Sequence, residues 1–512
     1  MSLTLVHSLK ESVNRFSDRD AIVSGDSRIS YQKLWENICS VSGYLRENGI
    51  KPGQRVAILL ENSPEYVATY YAVLACGCVA VGLNTAVKTK DIQNWLKHSD
   101  ASWLFVNTKH GEISEVLASP GTGLSIVGVG ESTQSGYTGF WSEVISTNAT
   151  EPDLSVLDDM SQSAAIIYTS GTTGDPKGVT LSHHNLSCNI RSILDYLHIT
   201  ESDSILNVLP FYYSYGNSIL HTHLAVGARL VLENSMLYPR KIVERMASEN
   251  VTGFSGVPST FALLLSRTKL KEYDLSSLRY LTQAGGPMAP VSINRILAEI
   301  PHIDFIVMYG QTEASARLSY LPAEKLQEKM GSIGIAIPGV TLEIRDEEGK
   351  KVNEGVSGEI YATGENIMLG YWNAPELTKD VVIDGWLKTG DLAHYDEDGY
   401  IYIDGRSSEM IKVGANRISP KEVEEVIVAL DEVEEVGAIG IPDEILGQVI
   451  KVFIVPSPEC ELQERTVLAH CKKNLATYKM PKHIEFVTEL PKTASGKIKR
   501  YLLLQQEIME KK

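Results

Sequence analysis

After Ser182, apolar residues return at the spacing of one helical face: Leu186, Ile190, Ile193, Leu194 and Leu197 predict an amphipathic helix. Ser419-Pro420-Lys421-Glu422 announces a second one, with serine and glutamate at capping-box spacing and proline at the first helical position. Val423, Val426, Ile427 and Leu430 give that helix its apolar face. The stretch from Tyr66 to Leu83 is nearly uncharged, yet Thr69, Gly77 and Gly82 interrupt it and no second span accompanies it. It reads as a buried helix from Pro64 to Ala75 and a buried strand from Cys78 to Val81, not as a membrane span.

Elsewhere, short apolar runs break off into polar or glycine-rich loops. Ala164-Ala165-Ile166-Ile167-Tyr168 runs into Thr169-Ser170-Gly171. Leu278-Arg279-Tyr280-Leu281 runs into Ala284-Gly285-Gly286, and Phe305-Ile306-Val307-Met308 into Tyr309-Gly310-Gln311-Thr312-Glu313. Such strands alternating with helical patterns predict an α/β protein. Ligands of α/β proteins sit at loops leaving the carboxyl ends of strands, so three such loops predict one composite site. The texture changes around Asp404-Gly405-Arg406. Beyond it come the capped helix, strands near 436–441 and 449–455, a helix near 463–475 and a basic tail. The expected organisation is a large N-terminal domain of layered sheets and helices over residues 1–405, and a small α+β domain over 406–512.

At 512 residues the chain exceeds what one hydrophobic core supports. Its hydrophobic and charged fractions, 43% and 22%, are those of a globular protein. A formal net charge of −17 argues against a general nucleic-acid binder, though not against a local phosphate pocket. Six cysteines without a CxxC pair give neither a disulfide framework nor zinc spacing. Cys76 and Cys78, among small residues, read as buried packing. The first residues lack a basic start and an apolar stretch, so the expected compartment is the cytoplasm.

The strongest chemical signal is Tyr168-Thr169-Ser170-Gly171-Thr172-Thr173-Gly174-Asp175-Pro176-Lys177-Gly178. Glycines let the backbone approach phosphate oxygens, and hydroxyls, backbone N–H groups and a lysine supply donors. Asp175-Pro176 between Gly174 and Lys177 breaks the Walker A spacing, which excludes an ordinary P-loop NTPase.

This loop resembles the signature of the adenylate-forming superfamily: acyl-CoA synthetases, peptide-synthetase adenylation domains and beetle luciferases. Further motifs follow in the family's order: Tyr309-Gly310-Gln311-Thr312-Glu313, Gly358-Glu359-Ile360, Lys388-Thr389-Gly390-Asp391, Asp404-Gly405-Arg406 and Pro491-Lys492-Thr493-Ala494-Ser495-Gly496-Lys497. The resemblance implies activation of a carboxylic acid by ATP as acyl-AMP, then transfer to a thiol. It implies an ATP site of Thr169, Ser170, Gly171, Thr172, Thr173, Gly174, Lys177, Gly285, Gly286, Pro287, Tyr309, Gly310, Gln311, Thr312, Asp391, Arg406 and Lys497. Within it Tyr309 would lie against the adenine, Thr312 would contact the α-phosphate and Asp391 would hold the ribose hydroxyls. Glu313 would help hold Mg²⁺, which favours hard oxygen ligands. Lys497 would be the catalytic cation of adenylation, beside Thr312 and Glu313.

The resemblance also implies a small domain that rotates after adenylation about Ser408, where relatives carry aspartate or lysine. Gly414-Ala415, where relatives tend to carry two glycines, would border the thiol tunnel. Tyr213, Gly286 and Met288 would line the acyl pocket, whereas Phe211 reads as core. No basic residue obviously awaits a second carboxylate, so a neutral alkyl or aryl tail is expected. His183 and His184 read as structural or near the nucleotide. CoA is the expected thiol because no carrier domain is fused to the chain; a separate carrier protein's phosphopantetheine arm is the alternative. An ATP sensor without turnover is the reading from another class, and intact Glu313, Asp391 and Lys497 speak against it.

Overall fold

Uncharged runs bounded by turns become the inner strands of two large, mostly parallel sheets, covered by helices on both faces. The computed structural model describes residues 3–119, 121, 123–147, 150–169, 177–406, 409–414, 416–443, 445–457, 460, 462–492 and 498–510. Among these the strands gather into four sheets. An eight-stranded sheet sets Ser163–Thr169, Val79–Gly82, Arg55–Leu59, Ala101–Asn107, Ser125–Val129 and Gly139–Phe140 in parallel. Lys177–Ser182 and Gly370–Tyr371 add antiparallel strands at one edge. In a nine-stranded sheet, Asp304–Tyr309, Tyr280–Gln283, Gly253–Gly256, Ser204–Asn207, Arg229–Leu232 and Asp20–Ser24 are parallel.

A layer of helices fills the space between these sheets. One apolar cluster joins Ile58 and Ala80 of the first sheet to Ile205 and Leu230 of the second. It runs through the helices Leu5–Phe16, Tyr31–Glu47, Pro64–Ala75, His183–Leu197 and Ser214–Val226. The outer face of the nine-stranded sheet carries Pro239–Ser248, Pro258–Arg267 and Pro290–Glu299. Thr89–Ser99 and Ile113–Ala118 cover the outer face of the other. The stretch that approached the length of a membrane span is the buried Pro64–Ala75 helix and the Val79–Gly82 strand. Among the described residues no helix is long and apolar enough to cross a membrane.

The third sheet is antiparallel: Val340–Arg345, Gly358–Gly364, Trp386–Tyr395 and Val382–Ile383, with Ile401–Arg406 also paired to Trp386–Tyr395. From Ile411 onward the strands belong to the fourth sheet, in which the Val433–Asp443 and Gly447–Pro456 hairpin dominates. Pro420–Val428 and Glu464–Asn474 pack on one face of it, and Leu503 of the Arg500–Glu510 helix on the other. The protein is thus a layered α/β fold with a large N-terminal portion and a smaller C-terminal one.

One local expectation fails. Ser419 makes no cap hydrogen bond and its hydroxyl is buried without a partner, because Glu422, the other half of the expected box, pairs with Lys479. The box forms instead at Ser182, whose hydroxyl accepts from Asn185 N at 3.0 Å while Asn185 Oδ1 accepts from Ser182 N at 2.9 Å.

Candidate active site

Tyr280–Gln283 and Asp304–Tyr309 are neighbouring parallel strands, so the loops leaving their carboxyl ends emerge side by side. The second loop doubles back tightly: a Cβ on Gly310 would lie 2.1 Å from the Ala316 carbonyl oxygen, so only glycine fits. In the first, Gln283 Nε2 donates to the Gly286 carbonyl at 2.7 Å, fixing the turn that carries Gly285, Gly286 and Pro287.

Asp391 is 5% exposed, and its carboxylate is the focus of the site. The Tyr309 hydroxyl donates to Oδ2 at 2.7 Å and Arg406 Nε donates to Oδ1 at 2.8 Å. Strand register explains the second contact, since Asp391 and Arg406 stand opposite each other on antiparallel strands. A carboxylate has about four acceptor sites, so these two donors leave room for two hydroxyls of a ligand. Burial, and then the neighbouring Asp391 charge, push the Tyr309 phenol well above its ordinary pKa, which keeps it a neutral donor. Below Asp391 the Gly358-Glu359-Ile360 motif acts as a scaffold. Glu359 Oε1 accepts from Gly390 N at 2.9 Å, and the Ile360 carbonyl accepts from Thr389 Oγ1 at 2.8 Å. Gln311 Nε2 reaches the Thr389 carbonyl at 3.5 Å and ties the two segments together.

Two further contacts extend the site. Thr312 Oγ1 lies 3.2 Å from Ser214 Oγ at the start of the Ser214–Val226 helix. Glu313 Oε1 accepts from the Tyr371 hydroxyl at 2.9 Å, and Lys177 Nζ lies 5.8 Å from the centre of the Tyr371 ring. Tyr371 therefore links Lys177, which follows the phosphate-type loop, to Glu313 in the turn after the Asp304–Tyr309 strand of the other sheet. Burial, then the Glu313 charge, raise its phenol pKa as well.

Of the residues expected to line an acyl pocket, Tyr213 accepts from Asn84 Nδ2 at 3.1 Å through its hydroxyl and is the N-cap of the helix that begins at Ser214. Phe211 is buried against Tyr66, as a core residue should be. Met288 packs on the outer cluster of the nine-stranded sheet. Among the described residues no hydrogen bond or ion pair joins Met288 or Gly414 to Asp391; Gly414 N instead bonds the Leu446 carbonyl at 2.8 Å. Thr169 ends its strand. Ser170, Gly171, Thr172, Thr173 and Gly174, together with Ser408, Ala415 and Lys497, lie outside the described residues. Next to Lys497, Ile498 bridges Lys492 and Lys499 N bonds the Pro491 carbonyl at 2.7 Å. Two cations of the basic tail are already paired: Lys492 with Glu435, and Arg500 with Glu424 and Glu409.

His183 is buried, and desolvation, with a small contribution from His7, lowers its pKa to about 4. His184 meets Cys188 and Glu365, a set of metal-type ligand atoms within 4.8 Å of one another. Arg191 already supplies a cation there, its Nη2 2.9 Å from Cys188 Sγ.

Sequence reading passed over Ser214, Tyr371 and Arg317. Ser214 and Tyr371 are ordinary residue types whose roles arise from segments far apart in the chain. Arg317 is a buried basic residue behind Tyr215, where the sequence suggested no cation. Its position four residues after Glu313, within an otherwise uncharged segment, was the available signal.

The profile of the AMP-binding enzyme family matches residues 9–372, and that of the AMP-binding enzyme C-terminal domain matches 422–497. The feruloyl-CoA synthase of Amycolatopsis sp is 32% identical, over 93% of this chain and 94% of the relative. The oxalate–CoA ligase of Arabidopsis thaliana is 32% identical over 98% of each. Among solved structures, an anthranilate CoA ligase in complex with anthranoyl-AMP superposes with a TM-score of 0.91 at 28% identity, covering 99% of this chain and 97% of that one.

Proposed function

We propose that this chain, which belongs to the AMP-binding enzyme family, performs its two half-reactions with the residues gathered around Asp391. It is an AMP-forming acid–CoA ligase. A carboxylate oxygen of the acid attacks the α-phosphorus of ATP, the bond to the β-phosphate oxygen breaks, and pyrophosphate leaves. The CoA thiol then gives up its proton to solvent as its sulfur attacks the acyl carbon, the bond from that carbon to the phosphate oxygen breaks, and AMP departs with the electrons of that bond.

The observation that carries the residue assignment is the convergence of distant motifs. Tyr309 and Arg406 hold Asp391, Thr312 lies beside Ser214, and Glu313 lies beside Tyr371. In this reading Asp391 accepts the ribose hydroxyls with its remaining acceptor sites. The Tyr309 ring borders the adenine along with Gly285, Gly286 and Pro287. Thr312, Lys177 and the loop Thr169–Gly174 bind phosphate oxygens. Glu313 offers a carboxylate oriented by Tyr371, a hard oxygen ligand that fits Mg²⁺. The ion would offset phosphate charge. Lys497 supplies the cation that stabilises charge growing on the phosphate oxygens.

The same reading divides the chain into domains 1–405 and 406–512, with a rotation about Ser408 between the two half-reactions. Gly414 and Ala415 then border the path of the thiol. It is supported by the change of sheet between Arg406 and Ile411 and by a separate C-terminal family profile. Free, mostly buried cysteines fit a cytoplasmic enzyme.

The test is mass spectrometry of reactions with ATP, Mg²⁺ and a panel of acids, with and without CoA. Acyl-CoA plus AMP is the expected product pair. Acyl-AMP and pyrophosphate without a CoA thioester, for an acid that turns over, would overturn CoA as acceptor and point to a carrier protein.

A further inference from the structure

Among the described residues only two lysines or arginines are as deeply buried as Lys329, at 7% exposure, and Arg317, at 3%. They are treated differently. Lys329 pairs with Asp396 and Asp398. No carboxylate among the described residues pairs with Arg317. Among the described residues the hydrogen-bonding groups that meet its guanidinium are neutral: Met308 Sδ at 3.3 Å from Nε, the Ala316 carbonyl at 3.1 Å from Nη1, Ser218 Oγ at 3.3 Å from Nη2, and the Tyr196 hydroxyl. The Tyr215 ring lies beneath it, 4.3 Å from Cζ to the ring centre. A buried charge with no counter-ion is strongly unfavourable, so the protein gives up stability to keep one here.

The backbone shows that this placement is enforced. Ser315 and Ala316 both have positive φ, +55° and +109°, and the second is rare for a residue other than glycine. Asn366 Nδ2 and Asn189 Nδ2 donate to the Arg317 carbonyl at 2.8 and 3.3 Å. The turn after Glu313 is thus held in a strained form that sends Arg317 inward.

Its position relative to the chemistry is equally specific. Arg317 rests on Tyr215, and the neighbouring Ser214 hydroxyl touches Thr312. Arg317 is thus connected to Thr312 through the adjacent residues Tyr215 and Ser214. The wall beside it is hydroxylated: Tyr215 OH lies 2.8 Å from Thr282 Oγ1, which lies 2.6 Å from Ser255 Oγ. These hydroxyls satisfy one another, so it is the Arg317 charge that a neutral alkyl chain would leave without a counter-ion.

We propose that Arg317 is the counter-cation for a second carboxylate on the substrate, so the acid this enzyme activates is a compact dicarboxylic acid. The proposal rests on the acid–CoA ligase reading and on Thr312 as a phosphate contact. Bidentate pairing of guanidinium with carboxylate supplies the selectivity, since a neutral tail of equal size leaves the cation unpaired.

The experiment is ATP–pyrophosphate exchange with short dicarboxylic acids, the monoamide of each, and unsubstituted alkanoic acids of matching length. At least one diacid should exceed its monoamide and its alkanoate in kcat/KM by tenfold or more. Arg317→Met should erase that preference, Arg317→Lys should keep much of it, and the Tm of Arg317→Met should equal or exceed that of the wild type. A wild type that prefers the neutral acids, with Arg317→Met unchanged in its ranking, overturns the proposal. So does an Arg317→Met protein that loses Tm yet keeps the diacid preference, which would make the residue structural. Should Arg317→Met fail to fold, the wild-type ranking alone decides. Exchange with no acid of either kind would instead sink the ligase reading, and this inference with it.

Discussion

Arg406 stands directly opposite Asp391 on the neighbouring antiparallel strand, and its Nε donates to Asp391 Oδ1 at 2.8 Å. Tyr309 OH takes the other oxygen at 2.7 Å. The carboxylate is therefore oriented before any nucleotide arrives. Asp391→Ala should raise the KM for ATP tenfold to about a hundredfold, the range expected from losing hydrogen bonds to a charged group at about 1.5–3 kcal/mol. Tyr309→Phe, which removes one orienting donor and keeps the ring, should have a smaller effect. Steady-state kinetics with ATP varied would check both; equal effects would contradict the division of roles.

Lys497→Ala should reduce adenylate formation by on the order of a hundredfold or more, as expected for a lost preorganised charge. Thioester formation from supplied acyl-AMP should continue. Pyrophosphate exchange close to the wild-type rate would remove Lys497 from the first half-reaction.

Glu313→Gln should raise the Mg²⁺ concentration needed for half-maximal exchange, because an amide oxygen is a weaker ligand for a hard cation. Tyr371→Phe, which only releases the carboxylate, should shift the same curve less. A Mg²⁺ titration of each variant distinguishes the two.

Gly310→Ala should be among the most damaging small substitutions. Its methyl would meet the Ala316 carbonyl at 2.1 Å, and the loop cannot yield without moving Thr312 and Arg317. A loss of about 2 kcal/mol or more is expected, together with most of the activity. Thermal unfolding and exchange rates check it; an unchanged Tm would show that the loop opens freely.

Buried histidines give the protein a predictable response to acid. Desolvation lowers the pKa of His221 to about 3, and it lowers those of His183 and His223 to about 4. Between the ordinary histidine value and those values the unfolded chain binds protons that the folded protein does not. Stability is therefore complete above about pH 6.5 and falls as the pH drops towards 4. His221→Phe, whose ring would keep the tilted contact with Tyr70, should remove one proton from that difference, about 1.4 kcal/mol per pH unit within the window. Denaturant unfolding at several pH values would measure the slope; an unchanged slope would mean that His221 does not contribute.

The sequence by itself determined the elements and much of the chemistry. Period-3.6 and strand-length apolar runs placed the His183–Leu197 helix, the buried Pro64–Ala75 segment and the strands ending at Thr169 and Tyr309, because burial of one face constrains residue type locally. Glycines beside hydroxyls and a lysine marked a candidate phosphate loop on a similar ground, since such chemistry needs those types in one short segment; residues 170–176 of it lie outside the described residues. Tertiary structure decided what meets across the chain. Asp391 comes to Tyr309 from another sheet, Tyr371 bridges Lys177 and Glu313, and Glu422 turns to Lys479 instead of capping its own helix. Arg317 carried one sequence signal, its place in an otherwise uncharged segment after Glu313, but its sequence neighbours do not show how deeply it is buried. Only the fold closes neutral groups around that arginine and, among the described residues, leaves it without a paired carboxylate.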